Sequence, residues 1–310
     1  MYPSSDPRSA LAPTAAAEWP ERFAGSEYVK FYELPPTLQQ GGSSTWLARG
    51  QNFVMAYTDG RRGAALDRVG QIDEYVVLLP AAGPGPTITW NGHACAVEGH
   101  SISFVPAGDS TVTLLGDTRV VRMFTTRSAD LSALCANAAS YATAHPNLPP
   151  FQAWPDAAAG PMVRTYSLDV SASEGRFGRI FRCSTFMVNV LDPKHGPRDP
   201  TKMSPHHHDD FEQCSLALAG TFVHHLRWPW TPNLNQWRDD EHVTCGSPSV
   251  TVIPPPAIHT SQAIDPGLNV LVDVFCPPRM DFSSRSGWVL NGDDYPMPEG
   301  SRGDTNVQLP

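Results

Sequence analysis

SPHHHDDFEQCSLALAGTF, residues 204–222, carries more chemical information than any other part of this chain. His206 and His208 stand two apart, so on an extended backbone both side chains leave by the same face. A short turn follows, and Glu212 opens the next strand-like run. If the two extended segments pair, its carboxylate returns to within reach of the imidazoles. Downstream, PPPAIH (254–259) delivers His259 just after a proline turn, at the mouth of another strand. Three neutral imidazoles and one carboxylate are good ligands for a divalent transition metal. Four protein ligands on an ion that prefers six leave two positions open, as a reactive site needs and a closed structural site does not. His206, His208, Glu212 and His259 are therefore expected to hold one such ion, iron first, with Mn, Ni, Zn and Cu as alternatives. A solvated His-rich loop is the plain alternative, and Glu212, Gly220 and the later proline-turn histidine argue against it. His207 is expected on the opposite face, and His224 and His225 on a strand surface.

Around this stretch the chain repeats itself. FVMAYTDG (53–60), DEYVVLLPAAG (73–83), GHSISFVPAGDSTVTLL (99–115) and TRVVRMFTTR (118–127) are followed by a second series in the same order. That series is FMVNVLDP (186–193), DFEQCSLALAG (210–220), GSPSVTVIPPPAIHTSQAI (246–264) and LNVLVDVFCPPR (268–279). Glu74 falls where Glu212 does, and Phe124 where Phe275 does. Runs rich in Val, Ile, Thr and Phe, bounded by Gly, Pro, Asp and Asn, are strand signals. Two such units in tandem predict an all-β chain of two small barrels or sandwiches.

Composition agrees. Hydrophobic residues make up 41% and charged residues 17%, as in a folded chain. Proline, at 31 of 310 residues, breaks helices and favours short strands joined by turns. A net charge of −9 repels phosphate backbones and anionic lipid, so neither nucleic acid nor membrane is an expected partner. No apolar run reaches the roughly 20 residues that span a bilayer. The N-terminus lacks a secretory pattern, and the six cysteines form no CxxC, so a reducing cytoplasm is the expected location. Cys183, Cys214 and Cys276 read as small core hydrophobes.

The His-x-His, Glu, Gly series at 206, 208, 212 and 220 resembles the first motif of the cupin superfamily, with one residue more than usual before the glycine. Gly246, Pro255 and His259 resemble the second, with Pro256 where glycine is usual and Ala263 where asparagine is. With the repeat, the resemblance is to the two-domain branch, the bicupins, over roughly 45–127 and 165–280. It implies two tandem jelly-roll barrels with a metal in the second. The first lobe keeps Glu74 but has Arg68, Gly70 and Thr111 at the histidine places, so it is expected to be metal-free. The implied divisions are an N-terminal arm (1–27), a metal-free lobe (28–127), a helix and linker (128–164), a metal-binding lobe (165–285) and a tail (286–310). Ser128 is expected to cap a helix running to about Thr143.

Between the two motifs, HHLRWPWTPNLNQWRDDEH (224–242) is rich in Trp and charge. Arg227 and Trp228 are candidate substrate contacts, the former through its planar fork. A hairpin covering the barrel end explains the same residues equally well. Cys214, by alternation from Glu212, is a third candidate, and Arg279 reads as a surface charge. The resemblance and the open metal positions point first to an Fe(II) dioxygenase acting on a small, carboxylate-bearing molecule. An oxygen-independent isomerase, lyase or hydrolase of a small acid, and a non-enzymatic binding protein, are the alternatives. Exposed strand edges leave a homodimer open.

Overall fold

The computed structural model describes residues 22–209 and 211–299, so the first 21 residues of the expected arm and the end of the expected tail lie outside it. Two lobes each pair a large antiparallel sheet with a smaller one. In the first, Arg164–Ser167, Ser101–Val105, Tyr75–Leu79, Thr118–Thr125, Phe53–Gly60, Ser43–Arg49 and Leu38–Gln40 lie side by side in that order. They face Ala65–Gln71, Gly108–Thr113, Thr87–Trp90 and His93–Ala96. In the second lobe the large sheet runs Glu27–Lys30, Ser249–Ile253, Gln213–Ala219, Leu268–Phe275, Met187–Val190, Arg179–Arg182. Its smaller sheet is Glu241–Cys245, Phe222–Arg227, Ile258–Ala263.

The large sheets pack against one another. Phe53, Met55, Val76, Leu78, Ile102, Phe104, Val121 and Met123 of the first meet Phe186, Val188, Cys214, Leu216, Val250, Val252, Val272 and Val274 of the second in one core. The alternate residues of the same strands, such as Val54, Tyr75, Val77 and Phe124, fill the inside of their own barrel. Strands covered on both faces must be apolar throughout, which is why YVVLL reads as a continuous run rather than an alternating one. At about 1.5–3 kcal/mol for each fully buried aliphatic or aromatic side chain, this shared face is a dominant favourable contribution to folding.

The lobes also exchange strands. Glu27–Lys30 pairs with Ser249–Ile253 of the second lobe, and Arg164–Ser167 pairs with Ser101–Val105 of the first. The start of the expected first lobe therefore belongs to the second lobe's sheet, and the start of the expected second lobe, with the last residue of the linker, to the first lobe's. The expected long helix is not formed. Ser128–Thr143 contains a single helical turn, Ala129–Ser132, and a 3-10 turn, Ala138–Tyr141. Ser128 caps nothing, because its hydroxyl is engaged by Gln71. Asn137 stops the helix by exchanging hydrogen bonds with Arg49: its Oδ1 accepts from the Arg49 N–H (2.9 Å) and its Nδ2 donates to the Arg49 carbonyl (2.8 Å).

The same device recurs at the other end of the chain. Asn291 accepts from the Arg182 N–H (3.0 Å) and donates to the Arg182 carbonyl (2.8 Å). Four residues beyond each asparagine stands a tyrosine that reaches a carboxylate across the molecule. Tyr141 donates to Glu212 (3.3 Å), whose other oxygen accepts from the Gln51 N–H (2.7 Å). Tyr295 donates to Glu74 (2.7 Å), whose other oxygen accepts from the Ser184 N–H (3.0 Å) and hydroxyl (2.8 Å). The repeat thus includes the segment after each barrel, and each copy latches onto the other through an approximate two-fold relation. Tyr295→Phe removes one hydrogen bond to a buried-facing carboxylate, and should lower the unfolding free energy by about 1.5–3 kcal/mol in a urea titration. An unchanged midpoint and slope would contradict the latch.

Candidate metal centre

His206, His208 and His259 converge. One ring nitrogen from each lies within 4.8 Å of the others, and the ring centroids are 4.5–5.2 Å apart. Two backbone hydrogen bonds set this geometry, His206 N–H to the His259 carbonyl (3.1 Å) and the reverse (2.7 Å), pinning the 204–209 segment to the start of the strand Ile258–Ala263. His207 points away and sits exposed beside Asp209. His206 is exposed at the mouth; His208 and His259 are buried.

Glu212 does not join them. Its carboxylate lies in the latch to Gln51 and Tyr141, on the opposite face of its strand. Burial pushes it up to about 7, with the Gln51 N–H and Tyr141 hydroxyl pulling the other way. The next residue, Gln213, faces the imidazoles instead: its Oε1 lies 3.0 Å from His208 Nε2 and 3.3 Å from His259 Nε2. A strand alternates faces at every residue, so one position separates these two roles. The sequence carried a signal for this. Seven residues separate Glu212 from Gly220, and six separate Gln213 from it. The extra residue in the motif vanishes when Gln213 takes the acidic place.

The protonation of the imidazoles follows from their neighbours. His206 Nδ1 faces the Ser204 carbonyl (2.9 Å) and His259 Nδ1 faces the Ala257 carbonyl (2.9 Å). A carbonyl only accepts, so each Nδ1 carries a hydrogen, and in the neutral ring the lone pair is left on Nε2. Burial, reinforced by Arg279 and the neighbouring histidine charges, holds His208 down to about 2. Burial likewise holds His259 down to about 4. Both rings are therefore neutral at physiological pH. The His259 Nε2 lone pair and the Gln213 carbonyl oxygen then face one another at 3.3 Å as two acceptors. Two acceptors this close make a favourable place for a shared cation, and three nitrogens with one oxygen suit a divalent transition metal. The three histidines can hold one.

The remaining candidates lie elsewhere. Cys214 shares the Glu212 face and is buried in the core between the lobes. Arg227 is exposed on the outer face and forms a bidentate pair with Asp240. Trp228 is buried under the barrel end with Phe23, Leu226, Ile253 and Ala257, its Nε1 donating to Glu241 (2.8 Å). Trp230 and Trp237 stack at 4.6 Å on the exposed hairpin. The hairpin reading of this segment holds, and the substrate-contact reading of Arg227, Trp228 and Cys214 finds no support in their positions. Two residues read as surface groups belong to the interior. Arg279 is buried among Phe211, Phe275 and Phe282, with its guanidinium 3.8–4.7 Å from their ring centres. His224 faces the barrel interior, Nδ1 2.8 Å from Ser261 Oγ and Nε2 without a partner. An open hollow of about 440 Å³ lined by Tyr32, Arg119, Gly220, Ser247 and Asp265 lies near the far end of the Gln213 strand, away from the imidazoles.

In the first lobe Tyr75 follows Glu74 as Gln213 follows Glu212. Its ring stacks on Phe124 at 4.8 Å, with the Arg68 and Arg122 guanidinium groups over Phe124. Aromatic and cationic side chains occupy the place where the second lobe gathers its imidazoles.

Solved structures share this architecture. The oxalate decarboxylase of Lactobacillus farciminis, as a formate complex, aligns over 81% of this chain and 86% of its own, with 14% identity and a TM-score of 0.55. The Bacillus subtilis oxalate decarboxylase at pH 4.6 aligns over 81% and 76%, with 12% identity and a TM-score of 0.54. The fold is that of a bicupin. A cupin 2 conserved barrel domain protein from Leptotrichia buccalis aligns over 81% and 96%, at 7% identity and a TM-score of 0.45. No protein-family model and no curated protein matches the chain. Among the described residues, no helix is long and apolar enough to cross a membrane.

The placement of Glu212 and Gln213 generates a direct prediction. Purified protein should carry about one divalent ion per chain, and His206→Ala or His259→Ala should carry little. Glu212→Gln should keep the parent's metal content by elemental analysis. Loss of the ion in Glu212→Gln, at unchanged fold, would restore Glu212 as a ligand.

Proposed function

We propose that this bicupin is a metal-dependent enzyme acting on a small anionic substrate, with the ion held by His206, His208, His259 and the Gln213 carbonyl oxygen. The single observation behind it is the convergence of electron-pair donors, above all His259 Nε2 and Gln213 Oε1 at 3.3 Å. Imidazole and amide ligands bring no negative charge. They leave the charge of a divalent ion uncompensated at close range, which favours a substrate that brings a negative chelating group, such as a carboxylate with an adjacent oxygen or nitrogen. When bound, the ion supplies Lewis acidity and, if it is iron, the electrons for dioxygen chemistry.

The chain's own groups support an anion at the same end of the barrel. Arg279 is held rigid by three aromatic rings and by bidentate hydrogen bonds to Asp281. Its charge is felt at His208 and His259. Phe211 stacks on His208 at 4.4 Å and Phe275 meets the same ring edge-on at 6.2 Å, so two aromatic walls exclude water from one side of the site. The exposed imidazole of His206 marks the open side, by which a small molecule would enter.

Within this reading the finer assignment is an Fe(II)-dependent dioxygenase of a small carboxylate-bearing compound. An oxygen-independent lyase or isomerase, as the fold shared with oxalate decarboxylases permits, would use the same neutral site. A panel of small hydroxy, keto and dicarboxylic acids, with Fe(II) or Mn(II), separates them in an oxygen electrode. Oxygen uptake dependent on Fe(II) and one acid supports the dioxygenase. Turnover under strict anaerobiosis replaces it with the lyase reading, and tight binding without any turnover removes the enzyme.

A further inference from the structure

We infer that Asp273 is a positioning residue for the metal centre: its carboxylate fixes the Gln213 side chain so that the carbonyl oxygen, and not the amide nitrogen, is presented to the ion. The inference rests on the metal reading given above.

The two ends of a primary amide have nearly the same size and shape, so packing cannot choose between them; hydrogen bonding does. Gln213 Nε2 donates to Asp273 Oδ1 (3.1 Å) and to Ser215 Oγ (3.1 Å), and the Ser215 hydroxyl donates in turn to Asp273 Oδ1 (2.7 Å). Asp273 Oδ1 is an acceptor toward both groups. A turned amide would set Oε1 against it and aim two N–H groups at the imidazole lone pairs, so both ends would fail together. The sheet register builds this arrangement: Ser215 lies directly opposite Asp273, and Gln213 opposite Phe275, in the pairing of Gln213–Ala219 with Leu268–Phe275. All three polar side chains are buried, so no exposed solvent layer competes for the amide.

The first lobe supplies the contrast. Arg122 stands two residues before Phe124, as Asp273 stands two before Phe275, and faces the interior of its own barrel. The lobe with imidazoles carries an anion at this position; the lobe with Tyr75 at the Gln213 place carries a cation. Asp273 therefore stands as an acceptor behind the Gln213 amide nitrogen, without occupying a coordination position.

The test is a four-member set titrated anaerobically with Co(II) against a competing chelator, with the Co(II) absorption bands recorded. Its members are the parent, Asp273→Leu, Gln213→Glu, and the double variant Gln213→Glu/Asp273→Asn. Asp273→Leu leaves the Gln213 amide no carboxylate acceptor, so it should weaken Co(II) binding about 10–100-fold, the usual cost of losing a group that orients a ligand, and shift the bands. Gln213→Glu alone sets two carboxylates face to face and should bind more weakly than the double variant. The double variant restores one donor amide below one acceptor above, and should bind at least as tightly as the parent. Circular dichroism of the metal-free proteins checks that each variant is folded; the rescue cannot arise from a fold lost in both singles by independent damage. Parent-like affinity and bands in Asp273→Leu, or a double variant no tighter than Gln213→Glu, overturns the inference while leaving the metal centre standing. A parent that binds no Co(II), equal to His259→Ala, overturns both.

Discussion

Adjacent residues on a β-strand must face opposite ways, and at Glu212 and Gln213 that constraint assigns two different tasks to two neighbouring side chains. The strand that follows is covered on both faces, by the other lobe on one side and by the barrel interior on the other. Glu212 enters the seam between lobes and Gln213 enters the barrel. A one-residue slip of this strand would place a carboxylate among the imidazoles and leave the seam with an amide. It would also turn Cys214 and Leu216 inward and Ser215 outward, into an apolar core where its hydroxyl has no partner. The cost of burying unpaired polar groups, about 1–3 kcal/mol each, holds the register against that slip.

The repeated units share a scaffold and differ in what fills it. Each copy keeps the carboxylate, the asparagine clasp and the tyrosine four residues on, and each contributes its first strand to the other's sheet. Those elements hold two barrels together whatever the barrels contain. Inside, the equivalent positions diverge: Tyr75 and Arg122 in one lobe, Gln213 and Asp273 in the other. A stacked Tyr75–Phe124 pair stabilises the first lobe by packing alone, whereas the second retains a buried polar interior of the kind that stability by itself disfavours.

The all-β architecture, the tandem repeat and the convergence of His206, His208 and His259 were legible because strand composition, internal similarity and His spacing are each local signals. The fourth donor was not. Glu212 is the residue that ligand chemistry prefers, and its neighbour is a glutamine, which a search for anionic ligands passes over. Two facts in the sequence favoured Gln213 nonetheless: the six-residue spacing to Gly220, and the presence of Glu74 at the equivalent place of a lobe without the histidines. A carboxylate kept where no imidazoles stand serves something other than a metal. The exchanged strands and the broken helix were illegible for a different reason. Ser128 and Asn137 are ordinary cap and helix residues by propensity, and only distant partners, Gln71 and Arg49, decide against the helix. Arg279 looked like a surface charge because its aromatic cage comes from three separate segments.

Charge then limits what the site can accept. Two unit charges about 4 Å apart interact by about 4 kcal/mol at the effective dielectric of a protein surface, and the figure falls with distance. Asp273 sits behind Gln213, hydrogen-bonded to its amide nitrogen, and so lies outside direct coordination in the proposed site. Arg279 adds positive charge on the same side, itself partly balanced by Asp281. With an ion bound as proposed, the balance at the open positions would be positive. A neutral ligand would gain little from it, and a cationic one would be repelled. A small anion that coordinates directly would gain most, because contact with the ion outweighs every charge placed a layer away. The same neutral donor set that looked incomplete beside the expected carboxylate is therefore what leaves room, electrostatically, for the substrate to supply one.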